Sequence, residues 1–301
     1  MVKKLVLLVV GIMMAALFAG CGNDAPKEQA SKKIQVVTSF NAMAEFTKAI
    51  GGDKVEVSTI IPDGVEPHDF ELKPENMKQL ATAQVFVYNG FGMEPWAKQA
   101  IEAAKNDKLV TVVATEGVEA IKNTDPEEIK EHGAEDPHAW LSLKDAKIEV
   151  KNIKDALVKA DPANKDYYEK NYTEYVGKLD AMIKKYEEQF AKAPHKNFVT
   201  GHAAFAYLSR DFGLEQNSVE DVFAEGEPNA AQLAKLIEYV KENNITTIFA
   251  EEMASPEVSK TLAKEVGAKV ETIYTIESKE DDKTYLQRMD ENLAKIAESL
   301  K

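Results

Sequence analysis

The chain has 301 residues, 44% hydrophobic and 29% charged, and its 51 acidic against 37 basic residues give a formal charge of −14. Such a surface repels phosphate backbones, which argues against a nucleic-acid partner. A single cysteine, Cys21, excludes an internal disulfide, a cysteine-rich metal site and a thiol nucleophile in the folded body.

Lys3 and Lys4 precede an uncharged apolar run from Leu5 to Ala19, which ends at Gly20 and Cys21. This is the layout of an export signal, and the run is shorter than the roughly 20 residues a spanning helix needs. Phe18-Ala19-Gly20-Cys21 resembles a bacterial lipobox, with Phe where Leu is usual. Cleavage would remove residues 1–20 and leave Cys21 lipidated, anchoring the chain to the extracytoplasmic face of the plasma membrane. Loss of Lys3 and Lys4 takes the net charge to −16. Residues 21–33 are then the lipidated Cys and a small, polar, aperiodic tether.

From residue 34 short β-rich runs alternate with helix-like stretches: IQVVTSF, AMAEFTKAIGG, VEVSTII, PENMKQLATA, QVFVYNG, PWAKQAIEAAK and LVTVVAT. That rhythm predicts βαβ units around a parallel sheet in a first α/β lobe over 34–145. It returns over 194–301 with NFVTGH, AAFAYLSRDFG, NSVEDVF, AAQLAKLIEYVKENN, ITTIFAEE, EVSKTLAKEVG, KVETIYTI and TYLQRMDENLAKIAESL. The fold class is therefore α/β, with two similar (β/α)4-type lobes. The linking region, 146–193, differs. Asp161 suits an N-cap and Pro162 the first helical position. Apolar or aromatic residues at 168, 172, 175, 179, 183, 186 and 190 lie on one helical stripe. A helix over about 161–191 would be a rod of about 45 Å, long enough to brace both lobes and limit their closure.

Of the five histidines, His68, His138 and His202 fall at strand ends or helix starts, where open α/β sheets place ligands. His68 lies in the proline-stiffened loop PDGVEPHDFELKP, His138 in EDPHAWLSLKDA, and His202 follows NFVTG. Three imidazoles suit Zn²⁺, and a carboxylate would complete a tetrahedron with less excess charge than a fourth imidazole. Glu277, after KVETIYTI, stands at the equivalent edge of the second lobe, although Glu280, Asp281 and Asp282 lie close by. His132 and His195 read as solvated, with His132 a candidate for a weak secondary metal site. Of Glu251 and Glu252, which point oppositely in an extended segment, Glu252 is favoured to steady a ligand histidine. HExxH, GxSxG, Walker-type and GxGxxG motifs are absent from the sequence, so no enzyme class is indicated.

GVEPHDFELKP, DPHAWLS, GHAAFAYLSRDFGL, EGEPNAAQLAKLIEYVKENNITTIFAEE and TIES, in this order, resemble the zinc and manganese solute-binding lipoproteins of bacterial ABC importers, the cluster A-I or cluster 9 family. The resemblance runs from the lipobox to the C-terminus. It implies two α/β lobes joined by a rigid backbone helix, with one metal between them held by His68, His138, His202 and Glu277. It also implies a monomer that delivers the metal to a permease and, through it, an ATPase. Manganese-selective members carry Glu where His202 stands here, so three imidazoles point to Zn²⁺, with a manganese-binding adhesin as the alternative. A secreted zinc hydrolase with an open fourth position is the rival from another class. Zinc-type members often carry a long His-rich loop between the segments matching Ala114 and Asp136; here it is short.

Overall fold

The computed structural model describes residues 33–123, 129–130, 133–222, 229–251 and 256–301. The expected signal, Cys21, most of the tether, His132 and Glu252 lie outside these residues.

Two four-stranded parallel sheets share one topology. In the first, β1 (Ile34–Thr38), β2 (Val55–Thr59), β3 (Val85–Tyr88) and β4 (Val110–Val113) run in the order β2-β1-β3-β4. In the second, β5 (Asn197–Thr200), β6 (Glu215–Ser218), β7 (Thr247–Ala250) and β8 (Lys269–Thr272) run in the order β6-β5-β7-β8. Central strands have no solvent face, which explains the apolar run VFVY of β3 and the buried TIFA of β7. Beside them pack α1 (Asn41–Gly51), α2 (Pro74–Thr82), α3 (Ala97–Ala104), α4 (Leu143–Ala160), α6 (Ala206–Phe212), α7 (Ala230–Glu242), α8 (Pro256–Val266) and α9 (Tyr285–Ser299), with the rod α5 at Lys165–Lys192.

The rod has the expected stripe. Tyr168, Tyr175, Leu179, Ile183, Tyr186 and Phe190 are buried, and Tyr172 is partly so. Its first half meets the first lobe, where Asn171 donates to the Ile50 carbonyl at 2.9 Å. Its second half meets the second lobe, where Tyr186 donates to the Asp290 carbonyl at 2.7 Å and Phe190 packs on Phe212. At 28 residues it is about 42 Å long.

Two elements depart from expectation. Asp161 closes α4 instead of capping the rod: its carboxylate accepts from Asn164 at 2.6 Å and Tyr168 at 2.9 Å, and Pro162–Asn164 form a 3-10 turn before the α-helix starts. β6 lies at 215–218 rather than along NSVEDVF, because the polar run EQNS is a half-exposed edge strand without a hydrophobic period. The Val219 amide turns back onto the Thr200 and Gly201 carbonyls.

One apolar core spans both lobes. It takes in Val36, Phe86 and Trp140 from the first lobe, Phe205, Phe249 and Ile273 from the second, and Met289 and Leu293 from α9. A separate cluster of Val199, Leu236, Val240, Ile248 and Leu262 lies between the second sheet, α7 and α8.

Candidate metal centre

In a parallel sheet the loops that leave the C-terminal strand ends converge, and ligands gather where successive connections diverge. The segments after β2, β4, β5 and β8 bring His68, His138, His202 and Glu277 together, with one donor atom of each within 4.8 Å of the others. Glu277 Oε1 lies 3.4 Å from His138 Nε2, 3.6 Å from His68 Nε2 and 3.9 Å from His202 Nε2, and the Nε2 atoms of His138 and His202 are 3.4 Å apart. A tetrahedron around an ion bonded at 2.0–2.1 Å has edges of about 3.3 Å. The four donors therefore stand close to the spacing of such a shell. None of the four side chains is more than 3% exposed.

His138, Glu277 and His202 are held from behind. The Asp136 carboxylate accepts from the His138 backbone amide and meets its Nδ1, both at 2.9 Å, which turns Nε2 into the cluster. Trp140 packs against His138 and donates to the Thr275 carbonyl at 2.7 Å, so the first lobe is pinned to the segment that carries Glu277. Thr275 donates to Glu277 Oε2 at 3.1 Å, leaving Oε1 for the imidazoles. Ile276 has φ = +62°, a left-handed conformation that a β-branched residue adopts only under constraint. The constraint is visible: Asn41 donates from its side chain to the Ile276 and Ser278 carbonyls and from its amide to the Glu277 carbonyl.

His202 rests on Glu251. Its backbone amide donates to Glu251 Oε1 at 3.3 Å, and its Nδ1 is 3.8 Å from the same oxygen. Gly201 makes room for that carboxyl, since a Cβ there would sit 1.8 Å from Glu251 Oε2. Gly201→Ala should displace Glu251 and destabilise the fold by about 1–3 kcal/mol; an unchanged urea midpoint would rule out the clash. Glu252, favoured on the sequence, lies outside the described residues, and the carboxylate the structure sets against His202 is that of Glu251. His195 stands apart from the cluster, its amide donating to the Leu300 carbonyl. Sequence reasoning missed Asp136, Asn41 and Thr275. Only Asp136 left a signal, as the turn-forming Asp of an Asp-Pro-His run.

The electrostatics follow from burial and pairing. Burial alone would lower the His138 pKa, but Asp136 and Glu277 more than offset it and raise it to about 9. His202 is driven down to about 3 by burial, against the pull of Glu277. Burial opposes a charged Glu277, yet His138 and His68 hold it well below the ordinary carboxylate range. Burial lifts Glu251 to about 8, and burial together with the Glu277 charge lifts Glu66, whose carboxylate accepts from the His68 amide, to about 8. Pairing thus favours the charged forms of His138 and Glu277, and burial favours the neutral form of His202.

Two α/β lobes on one rigid helix, closing over a dry cluster of imidazoles and one carboxylate, define the class: a two-lobed solute-binding protein with metal-type donors. The model of the periplasmic zinc-uptake complex component A family matches residues 36–299, and the chain belongs to that family. The high-affinity zinc uptake system protein ZnuA of Bacillus subtilis (strain 168) is 42% identical over 299 residues, covering 94% of both chains. Zn(II)-bound AdcAII of Streptococcus pneumoniae, solved as a mutant variant, superposes with a TM-score of 0.82 at 34% identity, over 90% of this chain and 99% of that one. The laminin-binding protein Lmb of Streptococcus agalactiae, described as having adhesin and metal transporting activity, gives 0.80 at 33% identity over 89% and 100%.

Proposed function

We propose that this protein captures Zn²⁺ outside the cytoplasm and delivers it to an ABC-type importer, binding it through His68, His138, His202 and Glu277. The observation that carries this reading is the spacing of the four donors, 3.4–3.9 Å in four of the six pairs and within 4.8 Å in all, with the side chains buried. Three imidazoles with one carboxylate form a borderline donor set suited to Zn²⁺, whereas Mn²⁺ prefers more oxygen ligands. Membership of a zinc-uptake family and the zinc-bound relative support the same choice.

In this reading Glu277 supplies the negative charge and the imidazoles shape the shell. Asp136 orients His138 through the ring nitrogen that faces away from the cluster, and Glu251 holds the His202 backbone amide. A hydrolytic zinc centre keeps one position open for water; here Glu277 takes the fourth corner, which favours binding over catalysis. The partner is a membrane permease and its ATPase. The protein works as a monomer tethered by a lipid on Cys21, a placement supported by the lipobox-like run Phe18–Cys21.

Elemental analysis of protein purified without added metal, followed by Zn²⁺/Mn²⁺ competition, tests the reading. Stoichiometric zinc that excess manganese does not displace is expected. Bound manganese that survives excess zinc would overturn it.

A further inference from the structure

The helix that follows His202 belongs to the second lobe by sequence but bonds to the first. Arg210 donates to the Glu119 carbonyl at 3.0 Å and pairs with Asp145 at 2.5 Å, while Asp211 accepts from Ser142 at 2.5 Å. Tyr207 makes the contact nearest the pocket. It is fully buried, and its hydroxyl accepts from the Ile121 amide at 3.1 Å and donates to the Asp136 carbonyl at 2.6 Å. Ile121 and Asp136 are themselves paired, the Asp136 amide donating to the Ile121 carbonyl at 2.9 Å, and an antiparallel bridge joins Lys122 to Glu135. One hydroxyl from the second lobe thus closes the base of a first-lobe loop, at the residue whose carboxylate holds His138.

We propose that Tyr207 is a positioning residue that acts through Asp136 to fix His138 relative to His202, five residues before it in the chain. The proposal rests on the reading of the four-residue site as a zinc site. Its physical basis is leverage. Asp136 sets His138 by two hydrogen bonds, and its own backbone is fixed on one side by Ile121 and on the other by Tyr207. The bond from Tyr207 to the Asp136 carbonyl is short and buried, so a shift of α6, which follows His202 in the chain, carries the seat of His138 with it. Without the hydroxyl, the Asp136 carbonyl and the Ile121 amide lose their cross-lobe partner. The two histidines are then set independently, and the donor spacing is held less tightly.

The test is the rate at which the zinc-loaded protein gives up its metal to an excess of a chromogenic chelator. Tyr207→Phe keeps the ring and removes the hydroxyl; release should quicken roughly tenfold or more, as for other groups that orient a ligand from behind. Ser142→Ala cuts the bond from Ser142 to Asp211 on the same helix, and should lower the melting temperature while leaving release near that of the parent. If Tyr207 works through Asp136, Tyr207→Phe/Asp136→Asn should release zinc no faster than the quicker single variant. Parent-like release from Tyr207→Phe, equal acceleration by Ser142→Ala, or effects that multiply in the double variant would each overturn the proposal. His202→Ala in the same assay separates the two readings. If it has lost its zinc while Tyr207→Phe behaves as the parent, only the role of Tyr207 falls; if it retains zinc, the site assignment falls as well.

Discussion

Zinc affinity of the His202→Ala protein is expected to drop about a hundredfold or more. Closed four-donor zinc sites bind with about 10–16 kcal/mol in total, so one donor accounts for about 3 kcal/mol. His202 is a ready donor: burial drives its pKa to about 3, so no proton has to leave before Nε2 can bind. Nor can a neighbour replace it, because Asp136 holds His138, Thr275 holds one oxygen of Glu277, and the Glu251 carboxyl lies behind the His202 backbone. Calorimetry on metal-free protein reads the loss directly, and unchanged affinity would remove His202 from the shell. His202→Glu, which gives two imidazoles and two carboxylates, should move preference toward Mn²⁺.

Zinc uptake at pH 7 should expel close to one proton. His138, raised to about 9 despite its burial, is protonated in the metal-free pocket, Glu277 is ionised and His202 is neutral. Zn²⁺ must displace the His138 proton, so affinity should rise by about tenfold per pH unit from 7 to near 9 and level off above. Calorimetry in two buffers of different ionisation enthalpy counts the proton; a count near zero at pH 7 would mean that His138 is neutral without metal.

Stability of the metal-free protein follows a different course. The folded pKa of His138 lies above its unfolded value of 6.5, so its stabilisation is complete below 6.5 and fades as pH rises through about 9. Glu277 is depressed, so its contribution is present above 4.5 and fades as pH falls through its folded value. His202 works against the fold on acidification, since below 6.5 only the unfolded chain takes up its proton. Acid therefore weakens zinc binding throughout a range in which the His138–Glu277 pair still supports the fold.

Much of this could be read before any coordinates. The eight β-rich runs were visible between helical stretches, with β6 displaced because an exposed polar edge carries no apolar mark. The rod was legible because its stripe keeps one period over 28 residues. The three histidines were legible as rare residues at strand ends, whereas Glu277 depended on family resemblance among several nearby acids. What escaped was the support. Asn41 reaches Glu277 across more than 230 residues of chain, and Tyr207 reaches Asp136 across 71. Such pairings follow from how two lobes meet, and no local period or motif encodes that meeting. The choice between Glu251 and Glu252 depended on which side of the strand end faces inward.

The helix that ends the fold has a bearing on the order of assembly. Tyr285 packs its ring on Phe46 and donates from its hydroxyl to the Trp140 carbonyl at 2.6 Å, and Met289 and Leu293 join the same interior as Val36 and Phe86. The apolar faces of β1 and β3 are therefore fully covered only after α9 has emerged. A half-emerged chain has His68 and His138 but neither the Trp140 partner nor the segment that presents Glu277. On the reading of these four residues as the zinc site, the donor set is complete only once the segment after β8 has joined the first lobe.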